Sequence, residues 1–258
     1  MASTLAEYGR LLAALRGRGY RFAPVRACFE ASAAPPVVYV RHDVDRNTGR
    51  ALAMARLEDG LDVRATYYFR CDARARFPAD AIRRVADLGH EVGFHYETAA
   101  RVSGGWEPCK QRFAEELAAL RQLADVATAS FHGRPTARVT GLGGGSTDYL
   151  REVGLLGDPS IDLDYTGMLY VTDTGGRFGS AYNLRDKVRG RNLEAPHSPR
   201  SLAERLDPDQ EPRVLLNCHP ERWPATAAGR VACTFWDVAI NAAKCVIRAV
   251  RRGEHACR

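Results

Sequence analysis

The stretch VVYVRHDVD, residues 37 to 45, opens on four apolar, mostly β-branched residues and runs into a cluster of ionisable ones. That composition reads as a buried strand that stops in a functional mouth. Strand side chains alternate between two faces, so residues 37, 39, 41, 43 and 45 share one face while His42 and Val44 face the other way. Asp43 and Asp45 therefore project together, and two like charges so placed need a cation or a shared proton. A divalent ion on one carboxylate leaves the other available as a base, a common division of labour in metallohydrolases. Three further apolar runs end in ligand-type residues: GHEVGFHYE (89 to 97), ASFHGRP (129 to 135) and VLLNCHPERW (214 to 223).

Between these patches, strand and helix patterns alternate. The spacing predicts helices over 49–59, 79–88 and 107–123, and strands over 64–69, 91–95, 127–132 and near 168–172 and 214–217. Such alternation implies an α/β fold of parallel strands linked by right-handed crossovers. The opening MASTLAEYGRLLAALRGRGY predicts an amphipathic helix over about 4–17. Residues 234–252 place Phe235, Val238, Ala239, Ala242, Val246 and Val250 on one stripe, which predicts a terminal helix docked on the body. TGLGGGS (140 to 146) lacks the Gly-Lys-Ser/Thr ending of a phosphate loop and reads as a turn before a short helix. The Gly- and Arg-rich segment 175–191 reads as an active-site loop. A chain of 258 residues fits one domain spanning 1–258.

The 258 residues are 45% hydrophobic and 26% charged, with a formal net charge of +6, and the basic residues are scattered among acidic ones without a like-charge block. No nucleic-acid arm is expected, although a basic surface still attracts an anionic substrate. Arg41, Arg46, Arg70, Arg134 and Arg222 all sit beside the ligand-rich patches. The seven cysteines are odd in number and form no Cys-x-x-Cys pair, so reduced thiols in a cytoplasmic protein are expected. The first helix lacks the unbroken apolar core of a signal peptide, and no segment is long enough to span a bilayer, so no membrane partner is expected. Oligomeric state is not legible at this level.

Taken in order, HDVD, ATYYF, GHEVGFH and the late strand ending in His219-Pro220 resemble the polysaccharide deacetylase family, the NodB-like carbohydrate esterases, over roughly residues 37 to 223. The resemblance implies a distorted (β/α)7 barrel and removal of acetyl groups from amino sugars with one divalent metal. Zinc is the first choice, and iron, cobalt and nickel are the others. By position in the family's motifs, Asp43 is the catalytic base, Asp45 a metal ligand and His95 the first histidine ligand. The second histidine position is Ala99, which leaves the third donor to His132, ending a predicted strand, or to Glu97; imidazole at a strand end favours His132.

His219 takes the place of the general acid that protonates the leaving amine, with His197 in APHSP as its competitor. Arg134, Asp173 and Arg222 are expected on the substrate, Asp173 by orienting Arg134 or a sugar hydroxyl, or else by capping the Gly175-Gly176 turn. His42 is expected to be structural or to support the site from behind, His90 to cap or orient its strand, and Glu91 to buttress the site or, more commonly for its type, to be a solvated strand-start residue. The partial arginine-proline motif at Arg134-Pro135 and the lack of a secretion signal point to a small N-acetylated sugar, sugar nucleotide or glycosylated metabolite as partner. Two other readings stay open: a nucleotide-sugar glycosyltransferase using Asp43-Val44-Asp45 as its metal-bridging motif, and a non-catalytic sugar-binding relative.

Overall fold

The computed structural model describes residues 3–103, 105–132, 148–183, 186–226, 228–235 and 238. Its elements, in chain order, are α1 (Leu5–Gly17), β1 (Arg21–Ala23), α2 (Arg26–Phe29), β2 (Val37–Val44), α3 (Thr48–Gly60), β3 (Thr66–Phe69), α4 (Ala79–Asp87), β4 (Glu91–Tyr96), α5 (Trp106–Arg121), β5 (Val126–Phe131), α6 (Asp148–Glu152), β6 (Tyr165–Thr172), β7 (Gly190–Asn192), α7 (Pro199–Arg205) and β8 (Arg213–Cys218). The anticipated strands and helices recur in order with small shifts at their ends. Four elements escaped the sequence reading, and β1, α2 and β7 are too short to carry a period. The fourth, α7, had a legible start, because Ser198 caps it reciprocally with Ser201 and Pro199 opens it.

All strand pairings are parallel, and the order across the sheet is β5-β4-β3-β2-β8-β6-β7. β1 pairs with the start of β2 at Val37 to Tyr39, and β3 with its end at Arg41 to Val44. The sheet curls strongly. Arg41 on β2 donates to Ser130 Oγ on β5 at 2.7 Å, although β3 and β4 lie between them. On a flat sheet three strand spacings would separate those backbones by about 14 Å. This curled parallel sheet with alternating helices agrees with a distorted (β/α)-barrel-like arrangement, and among the described residues no ladder joins β5 to β7.

Alternation along the strands sorts the side chains into two populations. Val38, Val40 and Val44, with Leu216, Phe69, Phe94 and Val171, pack outward against α1, α3, α4 and α5 in the larger core. Val37, Tyr39, Tyr170 and Leu215 form a smaller cluster inside the curl. Above it the interior turns polar. Of the two readings of Glu91 the solvated one does not hold: it is buried and accepts from Thr66 Oγ1 and Thr128 Oγ1 at 2.5 Å each and from the Arg26 amide at 2.9 Å, because its strand face is the inner one. Gly93, two residues on, leaves room for the Tyr68 ring: a Cβ there would lie 2.3 Å from Tyr68 Cε1.

His42 faces the helices and binds Glu58 of α3 at 2.7 Å, where Tyr8 and Tyr67 also donate to that carboxylate. His90 joins the backbones of Ala65 and Ala55 rather than capping its own strand. At the N-terminus Thr4 and Glu7 form a capping box, and Tyr8, Leu11, Leu12 and Leu15 are buried. At the other end Phe235 and Val238 are 73% and 62% exposed, so this part of the expected docked stripe faces outward. The rest of 234–252 lies almost wholly outside the described residues. Among the described residues no helix is long and apolar enough to cross a membrane.

Candidate metal centre

The inner face of β2 carries Arg41 and then Asp43, and the two meet. Arg41 Nε and Nη2 donate to Asp43 Oδ1 at 3.1 and 2.9 Å, and Nη2 reaches Oδ2 at 2.8 Å. Asn217, inward-facing on β8, donates to Asp43 Oδ2 at 3.1 Å. Burial alone would raise the pKa of Asp43, but Arg41, with His95 and His219, outweighs it and holds the carboxyl well below the usual range. Asp43 is therefore ionised, fixed in orientation and already committed to a cation.

Asp45 follows the last residue of the strand and serves a different group. Its Oδ1 lies 3.4 Å from His95 Nε2 and 3.4 Å from His132 Nε2. One donor atom from each of the three residues falls within 4.8 Å of the others. In a tetrahedral site with bonds of about 2.0–2.2 Å, neighbouring ligand atoms stand about 3.3–3.5 Å apart, so two edges already have that length. Asp45 Oδ1 is buried without a hydrogen bond, a costly state that a shared cation relieves. The set of one carboxylate and two imidazoles suits one divalent ion.

The histidines are prepared for such a role by their other contacts. His95 Nδ1 is 2.9 Å from the Ser130 carbonyl, which only accepts, so Nδ1 carries the proton and Nε2 faces Asp45. Burial opposes protonation of His95, but Asp43 and Asp45 outweigh it and raise its pKa, so that a proton competes with a cation for the space beside Asp45. For Asp45, burial is likewise outweighed by His95 and His132, and its pKa is lowered. His132 differs: burial first, then His95, push it down to about 3, which leaves a neutral imidazole.

Glu97 does not join this group. β4 ends at Tyr96, and Glu97 has φ −133° and ψ 26° at the head of the 3-10 turn Thr98–Ala100, which breaks the alternation that would have put it beside His95. Its buried carboxylate instead accepts from Arg70 Nη2 at 2.6 Å.

His219, just past β8, is held by Asp173, just past β6. Its Nδ1 is 2.7 Å from Asp173 Oδ1, its amide donates to Oδ2 at 3.1 Å, and Trp223 Nε1 donates to Oδ2 at 2.8 Å. Asp173 meets His219 and Trp223 because Thr172 pairs with Asn217 at the end of the neighbouring strand, and its backbone carbonyl accepts from the Gly176 amide at 2.9 Å in the turn that follows. Burial disfavours the charged imidazole, yet Asp173 and Asp43 push His219 up to about 10. Its Nε2 points at Asp43 Oδ2 from 4.0 Å.

Arg222 Nε sits 4.0 Å from Asp173 Oδ1. With His197 it lines a cavity of about 160 Å³ on the Asp173 side, and His219 is the histidine that meets Asp43. Arg134 lies outside the described residues.

Several contributors had only faint sequence signals. Arg41 and Asn217 each stand two positions before a predicted catalytic residue, hence on the same strand face, a cue that was available. Asp186 had none: from within the loop expected over 175–191 it accepts from Thr174 Oγ1 at 2.6 Å and from Tyr170, while Asn217 bridges Tyr170 and Asp43 at 3.1 Å each.

No protein-family model matches the sequence, and no curated protein matches it. Among solved structures the chain is similar to a family 4 carbohydrate esterase from Bacillus anthracis, at 12% identity over 88% of this chain and 83% of that one, with a TM-score of 0.40. It is also similar to a wild-type CE4 family pseudoenzyme from Bacillus anthracis, at 10% identity over 85% of this chain and 65% of that one, with a TM-score of 0.42. A mutant CE4 family pseudoenzyme with restored enzymatic activity matches at 10% identity over 87% of this chain and 68% of its own, with a TM-score of 0.43.

Proposed function

We propose that the protein is a metal-dependent amide hydrolase that removes the acetyl group from an N-acetylated amino sugar, or from a metabolite carrying one, and releases acetate. Asp45, His95 and His132 hold one divalent ion, with zinc the best match to the donor set. The observation that carries this reading is the spacing of those three donors beside an ionised Asp43 that stands 4.0 Å from His219. A divalent ion in that position supplies Lewis-acid polarisation of the acetamide carbonyl and makes water acidic near neutral pH.

The remaining chemistry belongs to the chain. Asp43, oriented by Arg41 and Asn217, accepts a proton from the attacking water. His219, kept protonated by Asp173, donates from Nε2 to the amide nitrogen as the C–N bond breaks. His219 Nε2 and Asp43 Oδ2 stand 4.0 Å apart, beyond direct hydrogen-bond reach, so the proton collected by Asp43 returns to the imidazole through water once the products leave. One water and one amide yield one acetate and one protonated amine, with no proton left over.

The glycosyltransferase reading needs Asp43 and Asp45 on one cation. Arg41 already occupies Asp43, so the pair is split between two tasks. Metal analysis of the purified protein, combined with an acetate-release screen over N-acetylated sugars and their nucleotide conjugates, tests the proposal. Stoichiometric zinc with acetate release supports it; metal-free protein that releases no acetate from any of them rejects it.

A further inference from the structure

Asp186 precedes β7, and Asn183 holds its backbone from both sides: the Asp186 amide donates to Asn183 Oδ1 at 3.0 Å, and Asn183 Nδ2 donates to the Asp186 carbonyl at 2.6 Å. Its carboxylate turns toward the end of β6. There Oδ2 accepts from Thr174 Oγ1 at 2.6 Å and from Thr172 Oγ1, while Oδ1 accepts from the Tyr170 hydroxyl. Tyr170 and Asn217, both buried, complete a path of hydrogen bonds from Asp186 to Asp43.

The direction of each bond on that path follows from its charged ends. A carboxylate only accepts, so Tyr170 spends its single O–H on Asp186, and its oxygen is left to accept from Asn217 Nδ2 at 3.1 Å. Asn217 Nδ2 also faces Asp43 Oδ2 at 3.1 Å and Asp186 Oδ2 at 3.4 Å. Turning this amide over would aim its carbonyl oxygen at two carboxylates. It keeps its nitrogen toward them even though Oδ1 is then buried without a hydrogen bond, a cost that the two anions outweigh.

Asp43 is thus clamped from two sides, by Arg41 and by Asn217. Without the Asp186 carboxylate, Tyr170 can donate to the Asn217 oxygen instead, and the amide then turns an acceptor toward the base. Resting on the hydrolase reading above, we propose that Asp186 is a positioning residue, which through Tyr170 and Asn217 holds Asp43 in the orientation that takes a proton from the attacking water. Its bonds to Thr172 and Thr174 fasten the segment to β6, and the bond to Tyr170 is the one that reaches the reaction.

The test compares D186A, Y170F and the double variant with the native protein, all zinc-loaded and checked for metal content and circular dichroism. Each single change is expected to lower kcat for acetate release roughly tenfold with KM unchanged, and the double variant to fall no further than the lower single one, because the two residues act in series. The Asn217 side-chain amide protons, followed by heteronuclear NMR and identified by their loss in N217L, are expected to shift in both single variants. Y170F keeps its ring and reads the same path should D186A fail to fold. A residue that only anchors its segment would lower Tm and leave kcat and these signals in place. Native kcat in D186A, losses that multiply in the double variant, or Asn217 signals untouched by D186A overturn the inference, while acetate release by the native protein keeps the hydrolase reading. A native protein that releases no acetate sinks the hydrolase reading instead, and the Asn217 signals then decide the link from Asp186 by themselves.

Discussion

His219 Nδ1 lies 2.7 Å from Asp173 Oδ1, an imidazole and a carboxylate 46 residues apart in sequence, brought together because β8 and β6 are neighbours in the sheet. The carboxylate stabilises the protonated ring, which therefore persists to about pH 10. For a group whose folded pKa is raised, the linked stability is fully present below the unfolded value of about 6.5 and fades as pH climbs through the folded one.

Replacing Asp173 with Asn removes that support. A proton donor must be protonated to act, so activity is present below the His219 pKa and lost above it. The basic limb of kcat/KM for acetate release is expected to move from near pH 10 in the native protein toward the ordinary histidine range, and the alkaline loss of Tm to begin earlier. A basic limb that stays put removes His219 as the donor.

Asp43→Asn separates base from ligand. Metal content should stay stoichiometric, since the ion sits with Asp45, His95 and His132, while kcat falls by roughly 10²–10⁴. Breaking a buried ion pair on one side also costs stability, about 3–5 kcal/mol, readable in urea melts. A variant with native turnover would falsify the assignment of Asp43 as base.

His132→Ala and Glu97→Gln discriminate the third donor. The first is expected to lose bound metal and the rise in Tm that added metal gives, the second to keep both, because Glu97 is spent on Arg70. Elemental analysis after dialysis decides between them, and metal loss in Glu97→Gln alone would reassign the site.

Gly93→Ala tests the packing inside the curl. Its Cβ would fall 2.3 Å from Tyr68 Cε1 and 3.2 Å from the Thr128 carbonyl, so ring and backbone must both shift. A loss of about 1–3 kcal/mol in denaturant unfolding is expected. An unchanged midpoint means that Tyr68 moves aside freely.

How far the sequence alone reaches is clearest on β2. Period-two alternation placed Asp43 on the inner face and His42 on the outer, because that period is a property of the extended backbone and needs no knowledge of neighbours. The same local rule located the strand ends that present Asp45, His95, His132 and His219. It failed where partners come from elsewhere. Nothing local says that Glu91 meets Thr66 and Thr128, that Asp173 belongs to His219, or that Asp186 reaches Tyr170.

The choice between His132 and Glu97 shows the division most sharply. Both stand at strand ends, and chemistry alone favoured the imidazole without deciding the matter. The backbone turn at Glu97 and the curl that carries β5 round to face β2 placed one histidine 3.4 Å from Asp45 and turned the carboxylate toward Arg70. Residue type and alternation thus determined which side chains face the mouth. Only the tertiary structure decided which of them meet, because distance between strands depends on sheet order and curvature, which no single segment encodes.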